Sequence, residues 1–81
     1  MFTVYVLRSN LTSKRYVGFS EKTAQIRLQE HNAGGNKYTR RQRPLSLVHA
    51  EVFQTKYDAR KRELFLKSGQ GRKWLDENIG K

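Results

Sequence analysis

Two phenols, a guanidinium, an imidazole and a solitary carboxylate are spaced along this chain in a way that suits the handling of phosphate. Tyr5 lies in Val4-Tyr5-Val6 and Tyr16 in Tyr16-Val17-Gly18, each inside a β-forming run. Arg27 and His31 follow at the spacing that shares one face of a helix. Glu63 is the only acid between Asp58 and Asp76. A planar guanidinium grips two phosphate oxygens at once, a geometry that a lysine lacks. An imidazole titrates near neutrality and suits proton transfer. A phenol with an ordinary pKa near 10 is only about 0.1% ionised at pH 7. Cationic neighbours such as a metal ion, Arg27 or a protonated His31 would lower that pKa, whereas burial alone would raise it. A lone carboxylate can anchor a hard divalent cation that keeps several waters and completes its shell with a substrate phosphate. From pattern alone each residue also has a structural explanation. The tyrosines suit half-buried strand aromatics, Arg27 and His31 a solvated helix face, and Glu63 a helical pairing with Arg60 or Lys67.

Charge points the same way. Seventeen Lys and Arg against seven Asp and Glu give a net charge of +10, which favours a polyanionic partner because each neutralised phosphate releases counterions. No segment pairs a basic face with a large apolar one, and no run approaches the ~20 apolar residues of a membrane span, so no membrane partner is expected. The start Met1-Phe2-Thr3-Val4 lacks the basic-then-apolar order of a signal peptide, and there is no cysteine. The expectation is a cytoplasmic protein without disulfides or thiolate metal sites. A mass of 9.5 kDa predicts one domain over residues 1–81 with a single modest core.

Positioning the five groups falls to elements that the pattern marks out. Thr3 to Ser9 alternates Val4 and Val6 against Tyr5 and Leu7, turn formers fill Asn10 to Lys14, and Arg15 to Phe19 reads as the second strand of an antiparallel hairpin. Gly18 inside that strand indicates either a close approach, such as a phosphate, or a bulge. Ser20 and Thr23 can open a helix running to about Asn32 and ended by Ala33-Gly34-Gly35. Gly34 to Pro44 is a polar loop that holds Lys37, Arg40, Arg41 and Arg43 around Tyr38, suited to backbone contacts with nucleic acid or simply a loop tip. Leu45 to Phe53 is a third strand, with His49 structural. Thr55 and Asp58 open a second helix, Lys56 to Ser68, whose apolar members include Leu64 and Leu66. Gly69 and Gly71 are expected to break it, leaving Arg72 to Ile79 as a short last helix that docks Trp74, Leu75 and Ile79. The predicted fold class is α+β, a single small domain of order β-β-α-β-α-α with a three-stranded, mainly antiparallel sheet flanked by helices.

Taken in order, these residues resemble the GIY-YIG nuclease family from Val4 to about Leu75. The resemblance rests on Val4-Tyr5-Val6, Tyr16-Val17-Gly18, Arg27, His31, Lys37-Tyr38-Thr39 and Glu63 within Ala59-Arg60-Lys61-Arg62-Glu63. Leu66-Lys67-Ser68-Gly69 and Gly71-Arg72-Lys73 are similar to the small stand-alone members, and the chain also resembles the N-terminal nuclease half of the bacterial excision-repair C subunit. The resemblance implies a metal-dependent endonuclease or nickase that hydrolyses DNA phosphodiester bonds. It implies that Tyr16 activates the attacking water, Tyr5 positions the reacting groups, Arg27 holds the scissile phosphate and Glu63 binds one Mg²⁺ or Mn²⁺ ion. His31 would support the tyrosine or share its proton work, and it stays a rival general base. Gly18, Lys37, Tyr38, Arg40, Arg41, Arg43 and Lys67 are the candidate nucleic-acid contacts. An asparagine used by some relatives falls on Leu75 here, so it is missing or supplied by Asn78. The alternative function is a non-catalytic nucleic-acid-binding module that retains the fold; a protein-interaction or ribosome-associated domain is a third reading. RNA stays open as a substrate, and target selection would come from a protein partner, a homo-oligomer or substrate shape.

Overall fold

Strand β1, Phe2–Ser9, carries apolar side chains on both sides, and this forces it into the middle of the molecule. Val4 and Val6 are fully buried on one face, Tyr5 and Leu7 on the other. A strand buried on both faces needs a layer over each. The computed structural model, which describes residues 1–79, provides both layers. β1 pairs antiparallel with β2, Arg15–Ser20, and with β3, Leu45–Phe53, in the order β2-β1-β3. Within the hairpin Tyr5 stands opposite Gly18 and Leu7 opposite Tyr16. On the other side the register shifts between Val6 and Leu7, leaving Val48 as an extra residue in a bulge of β3.

Helix α1, Ala24–Asn32, covers the Tyr5 face. The Thr23 hydroxyl caps it by accepting from the Ile26 amide at 3.2 Å, and Gly34, at φ +86°, lets the chain leave it. Ala24 and Leu28 pack there with Tyr16, Leu45 and Leu47. Helices α2, Lys56–Lys67, and α3, Gly69–Asn78, cover the opposite face, where Ala59, Leu66 and Leu75 close over Val4 and Val6. The Thr55 and Ser68 hydroxyls cap these two helices at 3.1 Å each.

The order β-β-α-β-α-α and the antiparallel sheet match the expectation; several boundaries differ. Ser20 ends β2, and α1 starts after Thr23. Gly69 and Gly71 do not break the chain before Arg72, because α3 already begins at Gly69. Gly71 is buried where α3 crosses the end of α2, and a β-carbon there would overlap the Phe65 carbonyl and the Leu66 Cα. Leu64 is exposed, whereas Leu66 is fully buried. A short 3₁₀ turn, Arg40–Gln42, lies within the polar loop. Among the described residues no helix is long and apolar enough to cross a membrane.

Candidate active site

The ring of Tyr5 lies across the backbone of its strand partner Gly18, where any β-carbon would overlap it. Pairing continues unbroken through Gly18, so the glycine is not a bulge; what approaches its backbone is the Tyr5 ring. The buried phenol oxygen of Tyr5 accepts from Arg27 Nε at 3.2 Å and lies 3.2 Å from His31 Nε2. A phenol both donates and accepts, so the Tyr5–His31 hydrogen bond is compatible with either neutral imidazole tautomer. The other ring nitrogen, Nδ1, faces the Thr39 hydroxyl at 2.7 Å. Thr39 is itself buried, and its amide and that of Tyr38 donate to the Asn36 side-chain oxygen at 3.2 and 2.8 Å. Arg27 also pairs through NH1 with Glu30 at 2.7 Å. Arg27 and His31 therefore share a face of α1, as their spacing predicts, but that face is turned onto Tyr5. Burial first, and then the charge of Arg27, push the His31 pKa below the ordinary imidazole value, against an opposing pull from Glu30. His31 is thus a neutral imidazole near pH 7 and not the cation that a lowered phenol pKa would call for.

Beside this network opens a cavity of about 730 Å³. Tyr5, Tyr16, Gly18 and His31 form one wall; the cavity then passes around edge strand β2 to Leu66 and Lys67 of α2 and Arg72 of α3. Lys14 and Arg15 add two more cations, Tyr38 contributes to the lining, and among the described residues no carboxylate lines the space. Tyr16 is half-buried, and its hydroxyl makes no hydrogen bond to the described residues. Of the two phenols, Tyr16 is the one open to water. Arg27 borders a smaller hollow with Lys22, Glu30 and Gly34, which adjoins the cavity at His31 and Asn36.

Glu63 projects from the face of α2 that carries Ala59 and Leu66, on the far side of the sheet from α1. It is buried, with Oε1 at 3.3 Å from Arg60 NH1 and Oε2 at 3.1 Å from Lys67 Nζ. Lys67 lines the cavity and Glu63 does not. The structure thus brings Tyr5, Arg27 and His31 into contact, arranges Tyr16, Gly18, Lys67 and Tyr38 around one space, and keeps Glu63 behind Lys67. Among the described residues no group of three or more His, Cys, Asp or Glu forms a metal cage. One buried carboxylate, neutralised by two half-exposed side chains free to swing aside, does fit a hard cation that keeps most of its water.

Lys37, Arg40, Arg41 and Arg43 are exposed around Tyr38. Arg40 and Arg43 border a separate hollow with Asn32 and Pro44. The Arg43 guanidinium donates to the Arg40 and Asn32 carbonyls at 2.8 and 3.3 Å, so it fastens the loop to the end of α1. Leu75 is fully buried, and the Asn78 amide donates to the Trp74 carbonyl at 2.8 Å; Asn78 does not line the cavity. His49 and Trp74 pack edge to face 5.5 Å apart beneath the Arg62 guanidinium, away from the cavity. Thr39, Asn36, Lys14 and Arg72 complete the site without having been singled out by pattern; the motif Lys37-Tyr38-Thr39 was the one local pointer to Thr39.

The GIY-YIG catalytic domain family model matches residues 1–75. A UPF0213 protein of Bacillus velezensis is 50% identical over 60 residues, 73% of this chain and 59% of that protein. A UPF0213 protein of Staphylococcus aureus is 38% identical over 66 residues, covering 80% of this chain and 78% of its own. The match therefore spans little more than half the length of the first of these relatives. The solution NMR structure of a UPF0213 protein from Bacillus halodurans superposes with a TM-score of 0.59 at 30% identity, covering 99% of this chain and 87% of that one. With a family match that runs from the first strand into the last helix, the chain belongs to the GIY-YIG nuclease family, in its small stand-alone UPF0213 group.

Proposed function

We propose that this protein is a divalent-metal-dependent endonuclease that nicks DNA. The observation that carries the reading is the Tyr16 hydroxyl, unengaged by the described residues, in a cavity that these residues line with cations and no carboxylate. Such a space attracts a phosphodiester and repels nothing on it. Arg27 spends Nε on Tyr5 and one NH1 hydrogen on Glu30, which leaves three N–H donors for the phosphate. It can therefore grip two phosphoryl oxygens without releasing Tyr5. Tyr5, locked by Arg27 and His31, fixes the guanidinium and is a positioning residue. Tyr16, its own proton having first passed to solvent, takes the proton of the attacking water as a phenolate and ends as the phenol. His31, neutral and buried, shares a hydrogen bond with Tyr5 and keeps that phenol oriented. Glu63 would hold one Mg²⁺ or Mn²⁺ only with Lys67 swung aside to open its carboxylate to the cavity, and the ion would there supply neutralisation of the phosphoryl oxygens and help for the departing alkoxide.

Conversion of supercoiled plasmid to open circles in Mg²⁺ or Mn²⁺, compared with Glu63→Ala, tests the reading. Nicking by the natural chain alone supports it; equal nicking by both proteins means another site or a contaminant. Salt-sensitive DNA binding without any product would instead mark a non-catalytic binding module, and an RNA arm run in parallel distinguishes the two polymers.

A further inference from the structure

Among the described residues four cations line the cavity, and two of them are already committed. Lys67 pairs with Glu63 at 3.1 Å, and Arg15 pairs with Asp76 at 2.8 Å while donating to the Arg72 carbonyl at 3.4 Å. Arg15 thereby ties α3 to the hairpin, and Arg72 lines the cavity beside it. Lys14 and Arg72 have no ion-pair partner among the described residues, and both are exposed. They stand on the stretch of cavity beyond β2, next to α3, whereas Arg27 lies behind His31 on the face covered by α1. Arg27 borders the adjoining hollow and not this cavity, so it and the Lys14–Arg72 pair face different parts of a bound strand. A volume of about 730 Å³ is also more than a single phosphate needs.

We infer that Lys14 and Arg72 form a second anion subsite, which holds the phosphate flanking the bond that is cut. The inference rests on the nuclease reading and narrows its ligand to a strand with consecutive phosphodiesters passing around the β2 edge. Arg27 engages the scissile phosphate from one side, and Lys14 with Arg72 holds its neighbour from the other. Tyr16 lines the same cavity as the Lys14–Arg72 pair.

Fluorescence anisotropy of a labelled DNA oligonucleotide in EDTA, where nothing is cut, tests this across a salt series. Lys14→Gln/Arg72→Gln is compared with Lys56→Gln/Lys61→Gln, an equal loss of charge on exposed α2 residues outside the cavity. Loss of one phosphate contact makes the plot of log affinity against log salt shallower by about 0.7 to 0.9 for the first pair. Affinity falls on the order of tenfold at about 0.1 M salt, while the α2 pair keeps the natural slope. Arg72→Lys, which preserves the charge, retains most of the slope. Equal effects of the two pairs, or an unchanged slope in the first, overturn the subsite and leave the nuclease reading standing. Absence of DNA binding by the natural chain overturns both.

Discussion

Replacing Gly18 by alanine puts one methyl group where the Tyr5 ring lies. Because that ring is buried and its hydroxyl is held by Arg27 and His31, it can make room only by giving up those hydrogen bonds. The bond to His31 contributes about 1 kcal/mol, and the charge-assisted one to Arg27 roughly 1.5 kcal/mol, the low end of its range for a partly exposed guanidinium. Displacing the ring therefore costs about 2 to 3 kcal/mol, in line with overpacked cores in general. For 81 residues the whole stability is roughly 4 to 12 kcal/mol, so the loss is readily measured. Urea unfolding should show a lower midpoint for Gly18→Ala at an unchanged slope. The penalty should nearly vanish in a Tyr5→Ala background, where no ring competes for the space, giving a coupling energy of about 2 kcal/mol. Strictly additive effects of the two substitutions, or a Gly18→Ala protein as stable as the natural one, would refute the contact.

The fold should weaken in mild acid. His31 is held below its ordinary pKa, so its contribution is complete above about pH 6.5, where folded and unfolded chains are both neutral there, and is lost as pH falls through the lowered value. Urea midpoints at pH 7.5 and 5.5 should differ, and His31→Asn should flatten the difference. Burial opposes the charge of Glu51, yet hydrogen bonds from His49 and Arg62 prevail and lower its pKa. Its share of stability is present above about pH 4.5 and disappears at lower pH; Glu51→Gln should remove that second acid-sensitive phase. Gly71→Ala forces a methyl onto the Phe65 carbonyl, backbone against side chain, and should cost more than Gly18→Ala or abolish folding, as read by circular dichroism. Arg27→Lys should retain fold and DNA binding but lose at least tenfold in cleavage rate, because a lysine cannot hold Tyr5 and fork a phosphate together.

Elements whose evidence is local were legible before any coordinates. The alternation Val4, Tyr5, Val6, Leu7 fixed β1 and its two faces, and Thr55 with Asp58 marked the start of α2 where the structure begins it. The spacing of Arg27 and His31 gave their shared face. What the pattern missed depends on partners distant in sequence. Gly71 reads as a helix breaker until α3 is laid across α2, and Gly18 reads as a gap until the register sets Tyr5 opposite it. Burial of His31 follows from Thr39 and Tyr5, which lie on a loop and on another strand, so its neutral state had no local signature. Lys14 and Arg72 became visible as a pair only once the Arg15 pairing with Asp76 had joined the hairpin to α3.

The central claim is that the phenol oxygen of Tyr16, acting as its phenolate, and not the imidazole of His31, activates water beside the phosphate held by Arg27. Its most direct test is the single-turnover cleavage rate of a DNA substrate at saturating Mg²⁺ for the natural chain and Tyr16→Phe. Removing a general base costs about 10² to 10⁴ in rate, and the account predicts a loss in that range with DNA affinity in EDTA unchanged. Cleavage by Tyr16→Phe at the full natural rate would contradict it.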